Sequence, residues 1–283
     1  MLQFDLPFLI HHHVLHVKER YVQDGKNADT ADWAFNHGHF EYQMTYFIGP
    51  VNFHWIDRKG NKHVRQMNTG DINYITPFVP HTFSTRTDGE GLILAVTYGG
   101  SVATEEFQAE IKSMGLEDYT TAIKSRLPPV DSNLATDELE GVIIRRLSHA
   151  HVIDNNAYTI REIMHNIPNQ PFTKAFEYSL KKSGDADALD IEVDADRWGY
   201  NVGDSDIVLH WADKQKTLEP GASFFIQPNI AHAFRNSGNH EGKIVVMEIR
   251  PGAGNPYKDL SLIFKYARDE GLQRVHSETK QWF

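Results

Sequence analysis

Polar side chains recur at every second position of the segment FNHGHFEYQ, at His37, His39, Glu41 and Gln43. Side chains alternate along a strand, so in an extended conformation all of these share one face. A further histidine, His81, opens HTFST just after the turn-prone TPFVP. Imidazole nitrogens joined by a carboxylate or amide oxygen form a donor set for a borderline ion such as iron(II), whereas an all-oxygen set would suit magnesium or calcium. Glu41 and Gln43 are rival oxygen donors, and His37 is either an extra ligand or a hydrogen-bonding partner of one. The chain has no cysteine, which excludes thiolate ligation, disulfides and a thiol nucleophile.

Such side chains need a rigid frame. From about residue 8 to residue 100 the sequence runs in short alternating segments: FLIHHHVLHV, FEYQMTYFIG, VNFHWID, HVRQM, DINYITP, HTFSTRT and LILAVTY. They are rich in β-branched and aromatic residues and are separated by DRKGN, NTGD and TDGEG, which predicts an antiparallel sandwich or barrel. Apolar residues at helical spacing predict a helix over 103–126, ended by RLPPVDSN, and a helical or irregular stretch around ATDELEGVIIRRLSHA. The strand rhythm returns at about 158 and runs to 250, and YKDLSLIFKYARDEGLQRV reads as a C-terminal helix. DINYITPFVPHTFST and ASFFIQPNIAHAFRN each give a strand, a proline, x-x-x-His and another strand, which points to a duplicated unit. The predicted organisation is a metal-binding barrel over 1–102, a helical linker over 103–157 and a second barrel with its C-terminal helix over 158–283.

With 283 residues, 40% of them hydrophobic and 23% charged, the composition is that of ordinary globular domains. A net charge of −10, with no basic stripe, argues against nucleic acid as a partner. The same field repels an anionic ligand, so local cations must reverse its sign inside a pocket. Lys18 and Arg20 flank Glu19 and share a face on a strand, which makes them candidates for that task or for a solvated edge. No apolar run approaches the roughly 20 residues that cross a bilayer, and the amino terminus has no basic flank or small-residue cleavage site. A soluble cytoplasmic protein is expected.

The ordering H-x-H-x-x-x-(E/Q)…H resembles the metal signature of the cupin superfamily, with Gln43 where a glutamate usually stands. The resemblance implies an all-β-dominated chain of tandem cupin barrels (double-stranded β-helix, or jelly roll) with a few helices between and after them. More narrowly, FNHGHFEYQ, carrying Asn36, His39 and Gln43, and NYITPFVPH, carrying Ile75, Phe78 and His81, resemble the methylphosphonate synthase and hydroxyethylphosphonate dioxygenase family of non-haem iron enzymes. By that resemblance His39, Gln43 and His81 hold Fe(II) and form the catalytic centre. Asn36 binds the phosphonate, with Tyr74, Ile75 and Phe78 as further candidates to line the substrate; Tyr74 also reads as a core aromatic. The family's epoxidase has glutamate at the Gln43 position, and its dioxygenase takes a carboxylate from the Ile75 position. Glutamine, isoleucine and phenylalanine at 43, 75 and 78 match the synthase.

The resemblance therefore implies O2-dependent cleavage of the carbon–carbon bond of 2-hydroxyethylphosphonate, giving methylphosphonate and CO2. Its alternative within the family gives hydroxymethylphosphonate and formate. Oxidation of another small anion, and a non-catalytic ligand-binding cupin, are the readings outside the family. The expected partners are a phosphonate, O2 and further copies of the chain in a homo-oligomer. The second barrel is expected to be metal-free, because the resemblance sets Gly199 where the first barrel has its ligand histidine and leaves His232 without companion ligands. His11 and His13 share a face and read as pocket-lining or structural histidines.

Overall fold

A computed structural model describes residues 9–17, 42–56, 62–75, 79, 81–86, 91–99, 121–124, 138–139, 142–165, 167, 172–182, 189–191, 193–249 and 273–276. The chain forms two compact units, one comprising Met1–Ile144 with Gly254–Phe283 and the other Arg145–Ala253.

The first unit contains β1 (Leu9–Val17), β2 (Tyr42–Ile48), β3 (Val51–Ile56), β4 (Lys62–Met67), β5 (Ile72–Ile75), β6 (His81–Thr85), β7 (Gly91–Gly99), β8 (Thr121–Lys124), β9 (Glu138–Leu139) and β10 (Val142–Arg145). One sheet has the order β1-β7-β2-β5-β10-β9, and a second has β4-β3-β6. Val51, Phe53, Trp55 and Met67 of the smaller sheet pack with Phe47, Ile75, Ile93, Val142 and Ile144 of the larger one. Each sheet buries one side against the other, which makes a β-sandwich of jelly-roll type.

The second unit contains β11 (His151–Asp154), β12 (Tyr158–Met164), β13 (Phe172–Leu180), β14 (Leu189–Ile191), β15 (Asp196–Asn201), β16 (Ile207–Trp211), β17 (Lys214–Leu218), β18 (Ser223–Ile226), β19 (His232–Asn236) and β20 (Gly242–Ile249). Its sheets are β11-β12-β13-β20-β15-β18 and β14-β19-β16-β17. They enclose Phe176, Tyr178, Ile207, Leu209, Phe224, Phe234, Ile244 and Val246.

The two units repeat each other in detail. The Asn68–Asp71 turn holds Gly70 at φ 86° with its N–H on Phe47 O, and the Glu219–Ala222 turn holds Gly221 at φ 85° with its N–H on Asn201 O. Both glycines sit in the left-handed region that other side chains resist. The duplication predicted from the two Pro-x-x-x-His segments is thus a repeated strand–turn–strand unit.

Where the periodicity predicts a helical linker over 103–157, the described parts are strands: β8, β9, β10 and β11, with a 3-10 turn only at Leu147–His149. The run VIIR explains β10, since consecutive β-branched residues suit a strand covered on both faces and Val142, Ile143 and Ile144 are all buried. In the expected C-terminal helix, the described residues form β21 (Gln273–His276), paired antiparallel with β8. Among the described residues, no helix is long and apolar enough to cross a membrane, which says nothing of a β-barrel.

Candidate metal centre

On β2, Phe47 packs into the core between the sheets and meets Phe83 of β6 edge-on at 5.9 Å. Alternation along β2 therefore turns Thr45 and Gln43 inward as well. Across the strands Gln43 pairs with Ile75 and Thr97, and Thr45 pairs with Asn73 and Ala95. Residues directly opposite share a face, so Gln43, Thr45, Asn73 and Thr97 form a polar layer on an inner surface that is otherwise apolar. All are buried.

The opposing sheet supplies His81. It pairs with Trp55, and its ring meets Phe83 edge-on at 6.1 Å, so it too faces inward. Its Nδ1 lies 2.8 Å from Val79 O. A carbonyl can only accept, so Nδ1 carries the proton and the lone pair is left on Nε2, the nitrogen a metal would take. Gln43 Nε2 donates to Thr45 Oγ1 at 2.8 Å, which puts the amide oxygen on the other branch of the side chain.

The sequence-derived candidates fall into separate places. Gln43, Ile75 and His81 are brought to the interior of the first unit. Tyr74 is not: it lies on the other face of β5 and stacks on Tyr42 at 6.1 Å, as a core aromatic. His39, Asn36, Lys18, Arg20 and Phe78 lie outside the described residues, as do His37 and Glu41. His11 and His13 fall on β1, which pairs with β7. Among the described residues no cluster of His, Cys, Asp or Glu completes a metal site.

The described donors still fit an iron ion: an imidazole nitrogen of a ring oriented by the Val79 carbonyl and an amide oxygen. Two further observations mark the interior as a place for a polar guest. Trp55 Nε1 and both amide atoms of Asn73 are buried without a hydrogen-bond partner. Leaving such groups unsatisfied costs about 1–3 kcal/mol each, so a ligand oxygen or water that bonds them is favoured.

Sequence reasoning missed Thr45, Asn73 and Arg65. Arg65 shares the inner face of β4 with His63 and Met67, opposite Phe53 and Trp55. Its guanidinium lies 5.5 Å from the Trp55 ring centroid, and Nη1 donates to Val64 O at 2.9 Å. The alternation in HVRQM, with buried Met67 as its anchor, is the signal that places this cation inward.

The second unit rebuilds the same corner with different chemistry. His232 pairs with Trp211, its Nδ1 lies 2.7 Å from Ile230 O, and its ring meets Phe234 edge-on at 5.5 Å. Arg197 pairs with Ile226 and Glu248 as Gln43 pairs with Ile75 and Thr97. Strand register therefore sets Arg197 at the Gln43 position and Gly199 at the Thr45 position, which corrects the expectation that Gly199 stands where the first barrel has His39. Arg197 bonds Glu248 Oε1 through Nη2 at 2.5 Å and Nε at 3.2 Å, and Nη1 lies 3.5 Å from His232 Nε2. Burial first, then the Arg197 charge, hold the His232 imidazole below its ordinary pKa, against the opposing effect of the Ile230 carbonyl.

Fold and register together define a double cupin whose first barrel turns Gln43 and His81 inward. No family model matches the sequence. Methylphosphonate synthase from Nitrosopumilus maritimus (strain SCM1) is 33% identical to it in an alignment that covers 89% of this chain and 68% of the relative. The chain belongs to the methylphosphonate synthase family. Among solved structures, Streptomyces albus HEPD with substrate 2-hydroxyethylphosphonate and Fe(II) bound superposes with a TM-score of 0.56 at 20% identity, over 87% of this chain and 69% of that one. A single-site mutant of Bacillus subtilis oxalate decarboxylase gives 0.54 at 15% identity, over 76% of this chain and 64% of that one. These likenesses establish the cupin fold.

Proposed function

We propose that the chain cleaves the carbon–carbon bond of 2-hydroxyethylphosphonate with Fe(II) and O2, giving methylphosphonate, CO2 and water. It is a non-haem iron oxygenase, and Fe(II) is its cofactor, held by His39, Gln43 and His81. When bound, the ion supplies coordination sites for substrate and for the activation of O2.

The observation that carries this reading is the inward pair Gln43 and Ile75, which face each other across β2 and β5 and offer an amide and an aliphatic chain, with no carboxylate in either place. These are the two positions at which the family's other members put a carboxylate. A neutral first shell leaves the charge of the ion for the substrate dianion. The Trp55 N–H and the Asn73 amide can donate to substrate oxygens, and Arg65 brings positive charge to the inner wall of a chain whose net charge is −10. Asn36, Lys18 and Arg20 are further candidates for the phosphonate. The second barrel binds no metal in this reading, because the Arg197 guanidinium stands where a ligand would and repels a cation.

Phosphorus NMR of anaerobically iron-loaded protein supplied with 2-hydroxyethylphosphonate and then air tests the proposal. Methylphosphonate is the expected product. Hydroxymethylphosphonate with formate would move the chain to the dioxygenase reaction. No phosphorus-containing product from fully iron-loaded protein would overturn the phosphonate substrate.

A further inference from the structure

We infer that Thr45 is a positioning residue that holds the Gln43 amide with its oxygen toward the metal, an inference that rests on Gln43 being a ligand as proposed above. The Gln43 Nε2–Thr45 Oγ1 hydrogen bond is 2.8 Å long and buried. An amide nitrogen has no lone pair to give a metal, so only Oε1 can ligate. The two ends of the amide have nearly the same shape, and something must decide which one meets the ion. In the fold the Thr45 hydroxyl accepts from Nε2 and so occupies the nitrogen end of the amide, which leaves Oε1 for the ion. A carboxylate in the same place would need no such device, because its oxygens are equivalent. The requirement follows from the neutral ligand that distinguishes this chain.

The molecule contains its own comparison. At the corresponding layer of the second barrel, Arg197 replaces the amide and Gly199 replaces the threonine. There the Phe224 ring fills the space, and a Cβ built on Gly199 would lie 2.1 Å from Phe224 Cζ. Asn73, opposite Thr45, has Phe224 as its counterpart opposite Gly199. The hydroxyl thus accompanies the amide and disappears with it. A need for a β-branched side chain at this point of the jelly roll would predict one in both barrels.

Anaerobic Fe(II) titration of the whole chain, followed by near-infrared ligand-field spectra, tests the inference without turnover. Thr45→Val keeps the shape and removes the acceptor. It is expected to weaken Fe(II) binding by about 10- to 100-fold and to shift the ligand-field bands. Thr45→Ser, which restores the oxygen, should restore both. In a Gln43→Ala background Thr45→Val should add nothing further. Unchanged binding in Thr45→Val beside weakened binding in Gln43→Ala would overturn this inference alone. Unchanged binding in Gln43→Ala would overturn the ligand assignment itself. Additive losses in the double variant would also overturn the inference, since Thr45 would then act on something other than the amide. Should Thr45→Val fail to fold, the contrast of Thr45→Ala with Thr45→Ser carries the same decision.

Discussion

An amide at position 43 leaves the charge of a divalent ion uncompensated, and Ile75 across from it adds none. Gln43→Glu removes one unit of positive charge from the proposed centre, so iron should be retained while the apparent Kd of the phosphonate rises. Isothermal titration of anaerobic Fe(II) protein with 2-hydroxyethylphosphonate measures this directly, and equal affinity in both forms would contradict a role for charge. His81→Ala removes an imidazole whose tautomer the Val79 carbonyl fixes, and stoichiometric iron should be lost by metal analysis while the apo fold persists. Arg65→Met keeps the packing stem against Trp55 and deletes the cation; a charge-assisted contact to the phosphonate would then cost about tenfold or more in substrate affinity with iron content unchanged. At this scale Gln43 and His81 could be singled out because metal chemistry demands particular residue types at particular spacing, and the fold turns both inward; His39 lies outside the described residues. Thr45, Asn73 and Arg65 could not be, since threonine, asparagine and arginine are common in strands and acquire meaning only from what lies across the sheet.

Elements were legible to the extent that alternation defines them. β2, β3, β5, β6 and β7, and the Pro-x-x-x-His duplication, follow from period-two patterning and turn residues. Pairing is not written in the same way: the choice of Ile75 rather than Tyr74 to face the interior depends on register between β2 and β5, and a slip by one residue would reverse it. The same limit misplaced Gly199, whose position only the pairing of Arg197 with Ile226 reveals. The VIIR stretch, expected as helical or irregular, is a strand because its β-branched residues are buried on both faces. The close approach at Gly199 gives a test at this scale. Gly199→Val must displace the Phe224 ring from the second barrel's core, and overpacking of this kind costs about 1–3 kcal/mol in urea unfolding. Phe224→Ala alone leaves a cavity and should cost more, but combined with Gly199→Val the loss should fall short of the sum of the two, and additive losses would mean that the strain lies elsewhere.

Across the whole molecule the two barrels solve the same burial problem oppositely. The first sets the Gln43 amide beside Ile75 and Thr97, and the second fills the equivalent corner with the Arg197–Glu248 ion pair. Removing one member of a buried pair strands the other, so Arg197→Met should destabilise the chain by about 3–5 kcal/mol without altering iron stoichiometry, as read by denaturant unfolding and metal analysis. A different buried group sets the response to acid. His54, on the side of β3 away from Trp55, lies 2.7 Å from Ser84 Oγ, and burial pushes its pKa down to about 4. The folded chain thus keeps His54 neutral, whereas the unfolded chain takes up a proton as pH falls through about 6.5. Between those values the unfolded state binds more protons, so the stabilisation is complete above about pH 6.5 and is lost progressively as pH falls toward 4. From pH 7 to about pH 5 the loss from this group amounts to about 2 kcal/mol. His54→Gln retains a polar partner for Ser84 but cannot titrate, and carboxylates contribute equally to both proteins. Urea unfolding of the apo forms should therefore show the variant losing about 2 kcal/mol less than the unsubstituted chain over that interval. Equal losses would mean that His54 is protonated in the fold.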